Sequence, residues 1–305
     1  MMTHFPNQSQ PIALVTGATN QIGNFLLPRL QAAGFSVIAI SRRAQSSSPN
    51  MVWQSLDLLT NVDPLNFLKI PAPPAKWVLF HLAPLPLLPS LLTRLVDRVE
   101  LTRVIAFSST SRFTKINSTD AKEQAIALAL QTAEEAMITT CQTHQLIWTL
   151  FRPTLIYGCG KDKNVTFIAQ FIRRFGFFPL LGNGHGLRQP VHADDLANAC
   201  VQAYFSPPTS NQAYNLSGGE TLTYRQMVAA IFQQLGKSPR IVTIPLPWFK
   251  IFLHSVAWLP SFKHLSTTML TRMNQDLCFD HTLASQDFGY QPRNFVDNRH
   301  HMEEL

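Results

Sequence analysis

Gly17 and Gly23 frame a loop, Gly17-Ala-Thr-Asn-Gln-Ile-Gly23, that directly follows the apolar run Ile12–Thr16. A pyrophosphate ligand needs this arrangement. The tight turn requires glycine, the N–H groups at the next helix N-terminus hold the phosphates, and the last glycine lets helix and strand approach. The middle glycine position is Asn20, and asparagine tolerates positive φ, so the turn is expected to survive there. A second group, Ser41-Arg42-Arg43, follows the run Ser36–Ile40. An acid here would accept from a ribose 2′-hydroxyl, whereas arginine suits a 2′-phosphate, so the pair of arginines favours NADP(H) over NAD. The alternative is that Arg42 and Arg43 solvate a loop and Asp57 holds the adenosine end.

Such loops need strands that all end at one edge. Ile12–Thr16, Ser36–Ile40, Trp77–His81, Arg103–Phe107 and Ile147–Phe151 are short apolar runs without alternation, as strands covered on both faces should be. Helical patterns lie between them at Asn24–Ala33, Leu87–Val99 and Ala121–Gln142. The last opens with Asp120-Ala-Lys-Glu123, which predicts a capping box. Alternating strands and helices predict an α/β fold with a doubly wound parallel sheet. Beyond about residue 155 the pattern loosens, with helices expected from Asp194 and from Tyr224.

The 305 residues are 46% apolar and only 14% charged, with a net charge of +7. This excludes a disordered or coiled-coil chain. Cys141, Cys159, Cys200 and Cys278 form no CxxC pair and no zinc-type cluster, so a reduced chain without metal is expected. The N-terminus lacks a signal-peptide pattern, which predicts a cytoplasmic protein. Pro84, Pro86 and Pro89 interrupt the apolar stretch from Trp77 to Leu92; Pro245, Pro247, Lys250 and His254 interrupt that from Ile241 to Leu259. Neither offers the roughly 20 clean apolar residues of a membrane span. Within the second, Trp248–Trp258 is aromatic on more than one face; core packing comes first, with a lid or weak membrane-surface contact left open.

Val15-Thr-Gly-Ala-Thr-Asn-Gln-Ile-Gly23, Asp57-Leu58, His81-Leu-Ala83, Phe107-Ser-Ser-Thr110, Arg152-Pro-Thr-Leu-Ile-Tyr-Gly158, Arg188-Gln-Pro-Val-His-Ala-Asp-Asp195 and Tyr214-Asn-Leu-Ser-Gly-Gly219 follow in order. Together they resemble the extended short-chain dehydrogenase/reductases, the NAD(P)-dependent epimerase/dehydratase group, in an atypical form. The resemblance implies a Rossmann domain from 10–155 and 194–217, and a smaller C-terminal α/β substrate domain from 156–193 and 218–300. It implies NADP, or else NAD, held by Gly17, Thr19, Asn20, Gln21, Ile22, Gly23, Ser41, Arg42, Arg43, Asp57, Leu58, His81, Leu82, Ala83, Ser108 and Pro153. It also implies a possible homodimer through the helix at 121–142.

In that family a Ser or Thr after the fifth strand orients the substrate, and a Tyr–x–x–x–Lys pair on one helical face moves the proton. Thr110 matches the first position. With Ala133-Glu134 as register, the tyrosine position falls on Ile126 and the lysine on Leu130, and the helix contains no tyrosine. Tyr157-Gly-Cys-Gly-Lys161 has the spacing, but it lies too far past Thr110 and its glycines argue against a helix. Lys122, one turn before Ile126, and Cys159 remain as substitutes, Lys122 being otherwise an exposed first-turn lysine.

The resemblance places substrate contacts at Arg188 and Arg272, with Asn164 beside them, since paired guanidiniums suit a diphosphate. Arg188 could equally be a buried partner of Asp194 or Asp195, and His192 reads as a packed, hydrogen-bonded histidine. Residues 152–188 hold six cations against Asp162 alone. That concentration favours an anionic small-molecule substrate, such as a nucleotide-sugar, over nucleic acid. Three functions are therefore carried forward. The first is a nucleotide-sugar epimerase/dehydratase-like oxidoreductase using Thr110 and Lys122. The second is a non-catalytic NADP(H)-binding sensor or assembly subunit, as the accessory subunit of respiratory complex I is. The third is a reductase of a small apolar or quinone-like substrate.

Overall fold

In the computed structural model the described residues are 10–43, 45–60, 75–244 and 273–296. Strands β1 (Ile12–Thr16), β2 (Ser36–Ser41), β3 (Met51–Ser55), β4 (Trp77–His81), β5 (Leu101–Phe107) and β6 (Ile147–Pro153) share one sheet with Gln212–Leu216, β11 in chain order. The spatial order is β11-β6-β5-β4-β1-β2-β3, and every adjacent pair is parallel. The doubly wound Rossmann sheet expected from the sequence is thus observed.

Every residue of β1, β2 and β4 is buried, which is why these strands read as unbroken apolar runs. Strand β3 is the sheet edge and only half-buried, so it carries no such run. On one face lie α2 (Leu88–Leu95) and α4 (Ala121–Thr143), with Leu14, Ile38, Leu79, Leu92, Val104 and Met137 in the core between. On the other, α1 (Gln21–Ala32) packs against α6 (Ala193–Phe205), and Arg29 pairs with Asp194 at 2.6 Å. Beneath α6 the buried Arg103 donates to the carbonyls of Ala203 and Tyr204 and to the hydroxyls of Thr149 and Thr209.

Helix boundaries correct the sequence pattern in three places. Helix α1 begins at Gln21 rather than Asn24, because Asn20 caps it. Helix α2 ends at Leu95 rather than Val99, and a 3₁₀ turn at Leu85–Leu87 precedes it. The capping box at Asp120–Glu123 does not close. Asp120 accepts from the Lys122 amide, while Glu123 accepts from the Ser118 hydroxyl, and the Asp120 amide is satisfied by Ser118 instead. A reciprocal box does form at Thr223 and Gln226, opening α7 (Tyr224–Gln234).

The described residues fall into two compact units. One runs to Pro153 and takes back Ala193–Leu216 and His281–Gln291, including α8 (Thr282–Phe288). The other holds Thr154–His192 with the described parts of Ser217–Asp280 and of the segment from Pro292. In this second unit, β7 (Ile156–Tyr157) pairs with β10 (Val191–His192), β8 (Phe178–Leu181) with β13 (Ile241–Ile244), and β9 (Leu187–Arg188) with β12 (Leu222–Thr223). Helices α5 (Val165–Phe175) and α7 bury Val165, Ile168, Ile172, Met227 and Ile231 among Tyr157 and Phe295.

Candidate functional site

The sheet order reverses between β1 and β4, with β2 following on one side and β5 on the other. Helices on the two sides leave opposite faces there, so a crevice opens beyond the carboxyl ends of these strands. A cavity of about 400 Å³ lies at this edge, lined by Gly17, Thr19, Asn20, Ser41, Arg42, Asp57, Leu58, Leu82 and Ala83 among others. Nine of the residues expected to hold a dinucleotide therefore meet in one wall. Ile40, Leu56, Leu59, Pro84 and Leu87 complete the lining; the motifs did not single them out, although all but Leu87 directly adjoin one.

Gly17 sits at φ +68°, and a Cβ on it would come within 2.6 Å of the Ala83 amide nitrogen. A Cβ on Gly23 would lie 2.1 Å from the Ala18 carbonyl oxygen. Both end glycines are thus required by close approach. Asn20 corrects the expectation made for it: its φ is −73°, so it uses no left-handed freedom. Its side chain works instead. Oδ1 accepts from the Gly23 amide at 2.8 Å, capping α1, and Nδ2 donates to the Leu82 carbonyl at 2.8 Å, tying the loop to the end of β4. Gln21 and Ile22 provide the two first-turn amides left over.

At the end of β2 the Ser41 hydroxyl donates to the Arg43 carbonyl, and Ser55 donates to the Arg42 carbonyl. Arg42 and Arg43 are exposed, and Arg42 alone of the two lines the cavity. Asp57 accepts from the Leu59 amide at 3.1 Å. His81, expected to hold the dinucleotide, ends β4 fully buried and is not part of the cavity lining, and burial pushes its pKa down to about 4. Its Nε2 faces the Pro84 carbonyl, which can only accept, so the proton is on Nε2 and Nδ1 accepts from the Thr16 hydroxyl. This neutral histidine pins β1 and the turn after β4 together.

Thr110 is buried, and its hydroxyl donates to the Pro153 carbonyl at 3.1 Å. Among the described residues no titratable side chain hydrogen-bonds to it. Ile126 is 46% exposed and Leu130 packs against the sheet core, so neither position supplies a proton. Lys122 is exposed in the first turn of α4. Ser108, expected to face the dinucleotide, donates to Glu134 instead. Glu134 is wholly buried and takes Arg152 through Nε and Nη2, with Nη2 at 2.7 Å, and also Arg112. Glu134 served only as a register mark in the sequence; the signal missed was an acid on α4 facing the arginine that opens Arg152-Pro153.

In the second unit, Tyr157 is buried and is followed by Gly158, Cys159 and Gly160, all at positive φ. Tyr157–Lys161 is therefore a strand end and a left-handed turn, and not one helical face. Arg188 is buried; its Nη1 donates to the carbonyls of Leu187 and Gln275, and its guanidinium lies over the Tyr224 ring. His192 stands edge-on to Tyr157. Asn164 precedes α5 without capping it, since Asp162 accepts from the amides of Asn164 and Thr166. Arg272 and the segment 248–258 lie outside the described residues.

A doubly wound parallel sheet whose switch point carries a glycine turn and a helix N-terminus defines the dinucleotide-binding Rossmann class. Residues 88–217 match the NAD dependent epimerase/dehydratase family, so the family resemblance read from the motifs is borne out over that stretch. The chain is similar to the protein y4nG of Sinorhizobium fredii, which is uncharacterised, at 27% identity over 47% of this chain and only 36% of the relative. It is also similar to the mitochondrial NADH dehydrogenase [ubiquinone] 1 alpha subcomplex subunit 9 of Arabidopsis thaliana, at 23% identity over 92% of this chain and 74% of that one. Its fold matches UDP-glucuronic acid 4-epimerase from Bacillus cereus, solved with UDP-glucuronic acid and NAD, at TM-score 0.69 and 14% identity, covering 95% of this chain and 97% of the other. Among the described residues no helix is long and apolar enough to cross a membrane.

Proposed function

We propose that this chain binds a nicotinamide dinucleotide, NADP(H) in preference to NAD(H), with the adenosine half in the cavity at the sheet's switch point. The observation that carries this is the wall itself: a glycine whose missing Cβ opens the turn, with Arg42 and no acid beyond β2. Arg42 would hold the 2′-phosphate, the Gln21 and Ile22 amides the pyrophosphate, and Asp57 the adenosine. A nicotinamide dinucleotide supplies hydride transfer when bound.

The chain's own residues offer little for the accompanying proton. Thr110 has committed its hydroxyl proton to Pro153, and Ile126 and Leu130 are inert. We therefore read the protein as a cytoplasmic dinucleotide-loaded sensor or assembly subunit, in which the ligand stabilises the fold. Similarity to a subunit of NADH dehydrogenase over 92% of this chain supports that reading. The second unit would then receive the partner or substrate.

Retention of Thr110 at the end of β5 favours a second reading, an oxidoreductase of anionic nucleotide-sugars with Lys122 or water moving the proton. One experiment separates them. NADPH and NADH are titrated against the protein by nicotinamide fluorescence, and the loaded protein is then incubated with UDP-glucose and UDP-glucuronic acid. Tight NADPH binding without sugar turnover is expected. Failure to bind either dinucleotide overturns the proposal, and turnover establishes the second reading instead.

A further inference from the structure

Helix α5 has two apolar faces where a surface helix needs one. One buries Val165, Ile168, Ala169 and Ile172 in the second unit's core. The other presents Phe167 and Phe175, each 51% exposed, with the half-buried Phe171 between them. Gly176, at φ +74°, ends the helix and returns the chain so that Phe177, 38% exposed, stands edge-on to Phe171 at 5.8 Å. Phe171 meets Phe175 in a tilted contact with centroids 4.6 Å apart and Phe167 at 6.4 Å, which makes the four rings one contiguous ridge.

Exposed cations accompany this ridge along the chain. Lys163, Arg173, Arg174, Lys237 and Arg240 are exposed, and the Arg174 guanidinium lies over the Phe175 ring. Lys237 reaches the carbonyls of Ile172 and Arg173, placing its charge at the end of the helix. Residues 163–193 contain no acid. The acid just before them, Asp162, is spent on the amides of Asn164 and Thr166 and on the Thr166 hydroxyl.

We propose that this face docks the protein monotopically on an anionic lipid bilayer. Aromatic rings suit the boundary between headgroups and acyl chains, and Lys and Arg beside them meet lipid phosphates. A second copy is a poorer occupant, since pairing the ridge with itself would set Lys163 and Arg174 against like charges. The inference does not depend on dinucleotide binding.

The test is co-sedimentation of the full chain with phosphatidylcholine vesicles, with and without phosphatidylserine. Binding to the serine-containing vesicles should be about tenfold stronger and should weaken with salt. Phe167→Ser/Phe175→Ser/Phe177→Ser should abolish binding, and Lys163→Glu/Arg174→Glu should abolish the lipid preference, with melting temperatures unchanged. Should the triple variant misfold, Phe175→Trp in the otherwise intact chain is quenched by brominated lipid if the ridge inserts. No binding at low salt, absence of quenching, or a wild-type dimer that the ridge variants dissociate without any vesicle binding would each overturn the proposal.

Discussion

The side chain of Asn20 bridges two elements, holding the Gly23 amide with one end and the Leu82 carbonyl with the other, both at 2.8 Å. Asn20→Ala removes a helix cap and a loop tie and should cost about 2 kcal/mol in urea unfolding. Asn20→Gly keeps most of the capping tendency and removes a side chain that lines the cavity, so NADPH should bind at least as tightly as to wild type. Loss of NADPH binding in the glycine variant would show that the amide itself contacts the ligand.

Gly17→Ala meets two obstacles together, a left-handed φ and the Ala83 amide 2.6 Å from the new Cβ. The backbone strain alone is about 1–2 kcal/mol, and the turn must also open. A lower melting temperature together with lost NADPH binding is expected. Wild-type values for both would refute the need for glycine here.

His81 links stability to pH. Its folded pKa near 4 lies below its ordinary 6.5, so the unfolded chain takes up the proton first as pH falls. The stability associated with neutral His81 is complete above pH 6.5 and is lost progressively towards pH 4, amounting to about 3 kcal/mol. Urea denaturation of wild type and His81→Gln at pH 7.5 and 4.5 isolates this share, because the variant lacks it. Equal pH dependence in the two proteins would rule it out.

Glu134→Gln strips the anion from Arg112, Arg152 and Ser108 while preserving shape. Leaving two guanidiniums unneutralised against a buried amide should cost about 3 kcal/mol. Chemical denaturation measures it, and a change below about 0.5 kcal/mol would mean the cluster is solvated in practice.

Arg42→Ala should weaken NADPH binding about tenfold, equivalent to about 1.4 kcal/mol, and leave NADH binding unchanged. Equal loss for both nucleotides would show that Arg42 acts on the loop and not on the 2′-phosphate.

Legibility in the sequence followed burial. Strands β1, β2 and β4 could be read because both faces are covered and, His81 apart, every side chain is apolar or small. Strand β3, at the edge, offers Met51-Val-Trp-Gln-Ser55 half in solvent, where neither alternation nor an apolar run develops. The cavity wall was legible because glycine spacing follows from a steric need. The role of Asn20 was not, since residue type alone does not say whether an amide supplies backbone freedom or hydrogen bonds. Ser108 and Glu134 were obscured for a related reason: their partnership spans α4 and two strand ends and leaves no local spacing.

The discontinuous make-up of the first unit bears on synthesis. Its sheet closes when β11 sets Gln212 beside Thr149, and α8 adds Phe288 against Phe151 and Tyr214. A ribosome that has released only the first 153 residues has delivered six of the seven strands and left the outer side of β6 bare. The nascent chain must therefore carry a bare β6 edge until residue 216 has emerged, the interval in which a chaperone, or an early-bound ligand, has most to protect.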